Sequence, residues 1–324
     1  MRYRGTKPEI ERYRWMVRAY VEFHLEFCRI LMRVFGADIE KAYIFEAAAS
    51  LSGDIVFFPA AEGEEAFGPE FTASALAKDL GLPRETVRRK LNSLTEDGFV
   101  VKAGGGIFRL PAGIVATAAF RMASDAIAVQ IKAFLSRCLA ENYIALQQVT
   151  AAGIAVPVAD AHVHCRLVAS DIEGGNHRLR QLFSGYFVAS YRSRMPFFDN
   201  DLERALVFDI IGIYVVESFY NSPKHRELTA SVMVVIGEHQ AGATARWIGD
   251  NVGLPRETVR RKLSKLVETG LLSITPDGRY VYRTGLFRER GDIMDGLRTT
   301  ERLNIEFFNT CLQHGVFRIL TIAN

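Results

Sequence analysis

One undecapeptide, GLPRETVRRKL, occurs twice in this chain, at 81–91 and letter for letter again at 253–263. The likeness continues upstream, where LAKDLGLP parallels IGDNVGLP, and downstream, where RKLNSLTEDGFV parallels RKLSKLVETGLL. A repeat of this kind is typical of one supersecondary unit that is built twice in the same chain. Whatever the rest of the chain does, it must present this unit in two places.

The similarity extends well beyond the undecapeptide. DIEKAYIF at 38–45 parallels DLERALVF at 201–208, and IKAFLSRCL at 131–139 resembles IEFFNTCL at 305–312. The chain has 324 residues, of which 49% are hydrophobic, so it is long enough for two domains of about 150 residues, each with its own core. We therefore predict an internal duplication with this division: a first copy at 1–150, a connecting segment at 151–171 and a second copy at 172–324.

The sequence around the first undecapeptide predicts two short helices and a hairpin. Thr72 suits the N-cap of the first helix, Gly81 suits the left-handed residue that ends it, and Pro83 suits the first position of the next helix. This helix-turn-helix covers about 72–96, and FVVKAGGGIFRL at about 99–110 indicates two strands around a glycine turn. A helix-turn-helix followed by such a hairpin, or wing, is the winged helix-turn-helix arrangement.

The second copy repeats this scheme. Its helix-turn-helix covers about 244–268, again with Thr244 as the N-cap, and its wing covers about 271–283 with PDG at the turn. We predict a fold that is mainly α with small β-hairpin wings: two tandem winged helix-turn-helix domains, each flanked by long helices. Helices are expected to begin at about Asp38 and Asp201, and the closing helices are expected at roughly 119–149 and 292–318.

One face of each second helix cannot be buried. In the first copy, the core side of this second helix carries Val87, Leu91 and Leu94. The opposite side carries residues that suit base edges in the major groove, because Arg bonds guanine and Glu accepts from cytosine. These are Arg84, Glu85, Arg88, Arg89, Arg256, Glu257, Arg260 and Arg261.

Further polar residues are candidates for contacts outside the bases. We assign Lys90 and Lys262, beside the basic face, and the N-cap residues Thr72 and Thr244 to DNA phosphates. The wings carry four basic candidates, which are Lys102, Arg109, Arg279 and Arg283. The net charge is only +3, so any charge that serves DNA binding must be local to these surfaces.

The stretch RETVRR after a glycine turn resembles the recognition helix of the catabolite activator protein family, whose pattern is R-E-T-V-x-R. It is also similar to other bacterial winged-helix regulators, such as the multiple-antibiotic-resistance and GntR types. The resemblance covers about 40 residues per copy and implies base reading by the first Arg, the Glu and the last Arg. It also implies phosphate contacts by Thr86 and Thr258. The chain departs from that family at Pro83 and Pro255 and has no counterpart of its cyclic-nucleotide barrel.

Two other features allow different interpretations. DAHVHC, with Asp160, His162, His164 and Cys165, contains an H-x-H that could bind a metal, but the four cysteines have no metal-pair spacing. The aromatic stripe of the first helix suits core or dimer packing or a ligand pocket; it consists of Tyr13, Trp15, Tyr20, Phe23, Phe27 and Phe35. We predict no metal and no cofactor.

The sequence thus predicts a cytoplasmic, bacterial, non-enzymatic transcriptional regulator whose partner is double-stranded DNA. The long flanking helices are candidate homodimer surfaces, the effector is unspecified, and no stretch is long enough for a membrane span. Two other classes stay open: a plasmid-type replication initiator with paired winged helices, and a winged-helix scaffold protein. An enzyme that uses the DAHVHC stretch is the remaining, remote interpretation.

Overall fold

The computed structural model describes residues 2–5, 9–57, 66–140, 144–149, 155–157, 165–169, 175–221 and 241–321. These residues are mainly helical, with small antiparallel sheets. The helices are α1 (Glu9–Val34), α2 (Ile39–Ser52), α3 (Ala73–Leu80), α4 (Arg84–Glu96), α5 (Ala118–Ala140), α6 (Gly175–Arg194), α7 (Leu202–Asn221), α8 (Ala245–Val252), α9 (Arg256–Glu268), α10 (Leu286–Glu289) and α11 (Gly291–Gln313). The strands are β1 (Arg2–Gly5), β2 (Phe71–Thr72), β3 (Val101–Gly104), β4 (Ile107–Arg109), β5 (Ile144–Val149), β6 (Ala155–Pro157), β7 (Cys165–Ala169), β8 (Leu272–Ile274), β9 (Tyr280–Tyr282) and β10 (Phe317–Thr321).

The elements follow one order in residues 2–149, the first half, and again in residues 165–321, the second half. In each half a strand precedes a long helix, a second helix and a helix-turn-helix with a hairpin, and a 23-residue helix and a final strand close the half. The opening strand pairs antiparallel with the final strand in both cases, β1 with β5 and β7 with β10. Both hairpins gain a third segment, through β2 in the first half and through the Ala243–Tyr280 bridge in the second.

Three sequence predictions need correction at the ends of the halves. The closing helices, expected at 119–149 and 292–318, end at Ala140 and Gln313, and strands β5 and β10 follow them. In the second half Gly315 takes a left-handed conformation (φ 65°) just past the helix, which stops it from continuing. The segment 151–171 is also more than a connection, because it contains β6 and β7.

A tight turn links the first two helices of each half through left-handed backbone. Gly36 and Ala37 have φ of 65° and 62°, and the corresponding Asp199 and Asn200 have φ of 50° and 56°. Within the described residues, these two turns hold every residue other than glycine with positive φ. The next residue caps the second helix, because Asp38 accepts a hydrogen bond from the Lys41 amide and Asp201 accepts one from the Arg204 amide, each at 2.9 Å. The predicted helix starts at Asp38 and Asp201 are confirmed.

The core joins the two halves by reciprocal packing. Helix α1 of the first half packs against α7 of the second, and α6 of the second half packs against α2 of the first. Phe27 lies between Phe183 and Phe187 of α6, with ring centroids 4.2 and 4.7 Å apart. The described members of the aromatic stripe, which include Tyr20 and Phe23, are therefore buried within the chain. The side chains of Tyr13 and Trp15 lie outside the described residues.

Each long helix also stacks on the closing helix of its own half. Phe23 of α1 stacks on Phe134 of α5 at 4.7 Å, and Tyr186 of α6 stacks on Phe307 of α11 at 4.6 Å. Offset stacking of this kind adds to the free energy gained from burying the rings. The two stacked pairs occupy corresponding positions, so each half is held together internally by the same kind of contact.

A buried ion pair connects α2 to α6 across this core. Arg180 donates from Nη1 to Glu46 Oε2 at 2.7 Å and from Nη2 to Glu46 Oε1, and Ser184 donates to Oε2 at 2.7 Å. The side chains of Arg180 and Glu46 are 1% and 0% exposed. A buried charge is tolerated when its partner is present and is costly when the partner is removed.

We expect Glu46→Leu to lower the free energy of unfolding by about 3–5 kcal/mol, because it leaves the Arg180 guanidinium buried and unpaired. The double variant Glu46→Leu/Arg180→Met should recover most of that loss. Urea denaturation measures both values. As a control, Glu306→Ala removes an exposed pair with Arg302 and should cost less than about 0.5 kcal/mol. Equal losses in the single and double variants would contradict this account.

A histidine is also buried in this core. His24 is fully buried beside the rings of Tyr20 and Tyr191, and its Nε2 lies 3.4 Å from Nη2 of Arg194. Burial, together with the Arg194 charge, lowers the pKa of His24 well below its ordinary value. His24 is therefore neutral in the folded protein, while in the unfolded chain it binds a proton below about pH 6.5.

Because the unfolded state binds this proton and the folded state does not, His24 lowers stability as the pH falls below about 6.5. The contribution is a loss of about 1.4 kcal/mol per pH unit. We expect His24→Phe, which copies the corresponding Phe187, to show a smaller loss of stability between pH 6.5 and pH 5. Denaturation curves across this pH range test the difference, and identical slopes for the two proteins would contradict it.

Candidate nucleic-acid interface

The two helix-turn-helix units have the same local construction. Thr72 accepts a hydrogen bond from the Ala75 amide and Thr244 accepts one from the Trp247 amide, each at 3.2 Å. The residues that end α3 and α8, Gly81 and Gly253, have left-handed φ of 67° and 75°. The next helices begin at Arg84 and Arg256, so each proline is the residue before the helix and not its first residue.

The second helices of the two helix-turn-helix units, α4 and α9, are the candidate recognition helices, and their basic faces point to solvent. Val87, Leu91 and Leu94 are fully buried on the inner side of α4. The outer side contains the eight residues that the sequence predicted as base readers, all of them exposed: Arg84, Glu85, Arg88, Arg89, Arg256, Glu257, Arg260 and Arg261. An exposed, rigid helix face with several guanidinium groups has the chemistry needed to meet base edges and phosphates.

One arginine of each helix is held by a glutamate of the same helix. Arg88 Nε donates to Glu85 Oε2 at 2.8 Å, and Arg260 Nε donates to Glu257 Oε2 at 3.0 Å; the neighbouring Nη2 atoms donate to the other carboxylate oxygens. These hydrogen bonds lower the pKa of both glutamates. The paired glutamate orients this guanidinium before any ligand arrives.

The other two arginines of each face are differently placed. Within the described part of the chain, Arg84 and Arg89 form no ion pair, and neither do Arg256 and Arg261. Their guanidinium groups keep all their donors for a partner. Each recognition helix therefore offers two uncommitted guanidinium groups and one that is held by a glutamate.

Lys90 and Lys262 do not lie where the sequence prediction placed them. Lys90 Nζ lies 2.5 Å from Asp38 Oδ2 and 3.3 Å from Glu40 Oε2, and its side chain is 14% exposed. Lys262 Nζ lies 2.7 Å from Asp201 and 2.9 Å from Glu203, with 10% exposure. Both lysines point inward, because their stems lie on the flank that packs on α2 or α7. They attach each recognition helix to the first turn of the helix below it.

We expect Lys90→Met and Lys262→Met each to lower the free energy of unfolding by about 1–3 kcal/mol, since each leaves a half-buried carboxylate without its partner. Urea denaturation measures this loss. The matched control is Lys265→Met, an exposed lysine of α9, which should change stability by less than about 0.5 kcal/mol. If instead stability is unchanged and the salt dependence of DNA binding weakens, the lysines contact phosphate as first predicted.

The wing residues are also largely engaged within the protein. Arg109 pairs with Glu70, and Arg279 Nε lies 2.8 Å from Asp277 Oδ2. Arg283 donates from Nε to the Gly270 carbonyl at 2.8 Å. Lys102 is exposed on β3 and forms no ion pair with the described residues. Of the four wing candidates, Lys102 is the one whose charge is uncommitted.

The four candidate threonines divide into two kinds. Thr72 and Thr244 are exposed, and their hydroxyl oxygens accept the helix-capping hydrogen bonds described above. Thr86 and Thr258 are half-buried in the first turns of α4 and α9. Each pair occupies corresponding positions in the two units.

We call the two helix-turn-helix units the heads. Two arginines that contact them were not identified from the sequence. Arg29 of α1 donates from Nε and Nη2 to the Asn251 carbonyl of the second head, at 3.0 and 2.6 Å. The corresponding Arg192 of α6 donates to Asp79 of the first head at 2.7 Å. Each head is therefore held by the long helix of the other half. The signal was available, because arginine stands at both corresponding positions.

The described part of the chain contains neither a metal-holding group nor a membrane-spanning helix. No group of three or more His, Cys, Asp or Glu residues there is arranged to hold a metal ion. Asp160, His162 and His164, and the side chain of Cys165, lie outside the described residues. No helix described is both long enough and apolar enough to cross a membrane.

Comparison with known proteins supports the assignment of the first head. Residues 65–104 match the model of the IclR helix-turn-helix domain, a domain of DNA-binding regulators. No curated protein and no solved structure matches the chain. The match supports a winged helix-turn-helix DNA-binding regulator and does not extend to a second copy. The matching model is that of the IclR type. The resemblance of RETVRR to the catabolite activator protein family therefore rests on the sequence motif alone.

Proposed function

We propose that this chain is a sequence-specific transcriptional regulator that places two identical recognition helices on double-stranded DNA. The observation that carries the proposal is the exposed basic face of α4, which recurs residue for residue on α9. Arg84, Glu85 and Arg89 read bases, and Arg88, oriented by Glu85, reads a base or an adjacent phosphate. Lys102 and the four helix-turn-helix threonines serve the DNA backbone. The second head uses Arg256, Glu257, Arg260 and Arg261 in the same way, while its wing has Ile274 at the position of Lys102.

The reciprocal packing supports a covalent pseudo-dimer. In a twofold symmetric dimer the contacts are reciprocal. If residue i of one subunit contacts residue j of the other, then residue j of the first subunit contacts residue i of the second. Here α1 meets α7 while α6 meets α2, and Arg29 and Arg192 hold opposite heads, as expected if two copies of one ancestral chain had been fused. The proposed division stays 1–150, 151–171 and 172–324, and β7, which lies within 151–171, pairs with the final strand of the second copy. A dimeric regulator matches its two helices to two half-sites, and this chain supplies both helices itself.

The charge distribution suits this role. The net charge of +3 is small, yet the recognition helices present eight exposed residues of which six are arginines. Phosphate neutralisation releases counterions, so the logarithm of the affinity should fall steeply and linearly with the logarithm of salt concentration. A flat affinity between low and moderate salt would count against DNA as the partner.

Two matched substitutions test the equivalence of the heads. Arg89→Ala and Arg261→Ala should each weaken specific binding by about 1–3 kcal/mol and relax the preference at one base position of one half-site. The double variant should lose about the sum, because the two residues share no partner. These losses are measured as affinities for DNA selected from a random pool, with binding followed by electrophoresis or fluorescence.

The control is Arg302→Ala, an exposed arginine of α11 away from both heads, which should leave affinity unchanged. The stability of all variants should stay within about 0.5 kcal/mol, because both recognition arginines are exposed. If Arg89→Ala abolishes specific binding while Arg261→Ala has no effect, only the first head reads DNA. Selected sites with a single motif would point to the same conclusion.

A further inference from the structure

A partly open cavity lies between α1 of the first half and the second half, and none of the candidate DNA-binding residues lines it. Its volume is about 70 Å³, which exceeds the space that one buried water needs. It lies where α1, α6, α7, α11 and the second wing meet. Its walls are mainly apolar and aromatic and include Tyr20, Phe208, Leu271, Tyr282 and Ile293.

The corresponding place in the first half is filled by aromatic rings. Phe35, Phe45, Phe99 and Phe120 form a cluster in which every pair of ring centroids lies between 4.9 and 6.2 Å apart. At the corresponding positions the second half has Phe198, Phe208, Leu271 and Ile293. Leu271 and Ile293 therefore stand where the first half has phenylalanine rings, and both side chains line the cavity.

One polar group at this cavity, Arg194, is particular to the second half, whereas its partner Asp209 corresponds to the buried Glu46 of the first. Arg194 lies at its wall, and its Nη1 donates to both carboxylate oxygens of Asp209 at 3.2 and 2.9 Å. The Nε atom of Arg194 is buried and has no hydrogen-bond partner among the described residues. The residue that corresponds to Arg194 in the first half is Leu31. A buried donor without a partner is costly, and it becomes satisfied when an acceptor binds beside it.

We propose that this cavity is a binding site for a small, uncharged, mainly apolar molecule that carries one acceptor oxygen. The apolar walls favour a hydrocarbon body, and Arg194 Nε supplies the one hydrogen bond that orients it. A carboxylate is disfavoured because Asp209 already neutralises Arg194, and an ammonium group is disfavoured because it would face the guanidinium. Leu271 and Tyr282 belong to the second wing, so an occupant would contact the wing that follows the second head. Any effect on DNA binding rests on the proposed function.

Cyclopentanone is a suitable probe, since it combines an apolar ring with one carbonyl acceptor. Saturation-transfer NMR without DNA should show it binding to the full chain. It should bind at least tenfold tighter than cyclopentanecarboxylate or cyclopentylammonium. Because DNA is absent, this result does not depend on whether either head reads DNA.

Leu271→Phe restores the residue of the first half and should fill the cavity. It should weaken cyclopentanone binding at least tenfold while leaving the unfolding temperature equal or higher, which shows that the fold is intact. The matched control Ile274→Phe places the same ring on an exposed wing position and should bind like the natural chain. Ile293→Phe, on α11, gives an independent second test of filling.

Several outcomes would overturn the site. The first is no saturation transfer to cyclopentanone in the natural chain. The second is that Leu271→Phe and Ile293→Phe bind cyclopentanone as tightly as the natural chain does. The third is tighter binding of the carboxylate than of the ketone. The last result would replace the uncharged ligand class with an anionic one and so contradict the proposal as stated.

Discussion

The reciprocal packing of the long helices is the constraint on which the rest of the structure depends. Helix α1 is completed by α7 and α6 by α2, so neither half can bury its core helices without the other. The Glu46–Arg180 pair lies inside this contact, where both charges are removed from water. Such a pair adds little net stability but strongly penalises any arrangement that separates its members. The two halves therefore form one folding unit that presents two heads.

The positions of the heads follow from that core. Lys90 and Lys262 attach each recognition helix to the helix below it, and Arg29 and Arg192 hold each head from the opposite half. Lys90 and Lys262 are also largely buried in these contacts, so their ammonium groups are not free for phosphate. Among the described residues, Arg84, Arg89, Arg256 and Arg261 are exposed and form no ion pair, which places uncommitted positive charge at the front of α4 and α9 in a chain of low net charge.

The sequence predicted features that depend on near neighbours and missed those that depend on distant partners. The caps at Thr72 and Thr244 and the left-handed Gly81 and Gly253 were predictable, because a cap involves residues three or four positions apart. The closing helices are predicted to run through β5 and into the start of β10, because the strand partners β1 and β7 lie more than 130 residues away in the chain and give no local signal. The ion pairs of Lys90 and Lys262 were missed for a similar reason. Helical periodicity shows on which flank of a helix a lysine lies, but not which acidic residue faces that flank.

The mass of the protein–DNA complex tests the central claim most directly. Sedimentation equilibrium with a duplex that carries the selected pair of half-sites should give one chain per duplex, and both half-sites should be protected in a footprint at that stoichiometry. Duplicating recognition within a single chain requires this result. Two chains on the same duplex, or one chain protecting a single half-site, would show that the second head does not read DNA beside the first.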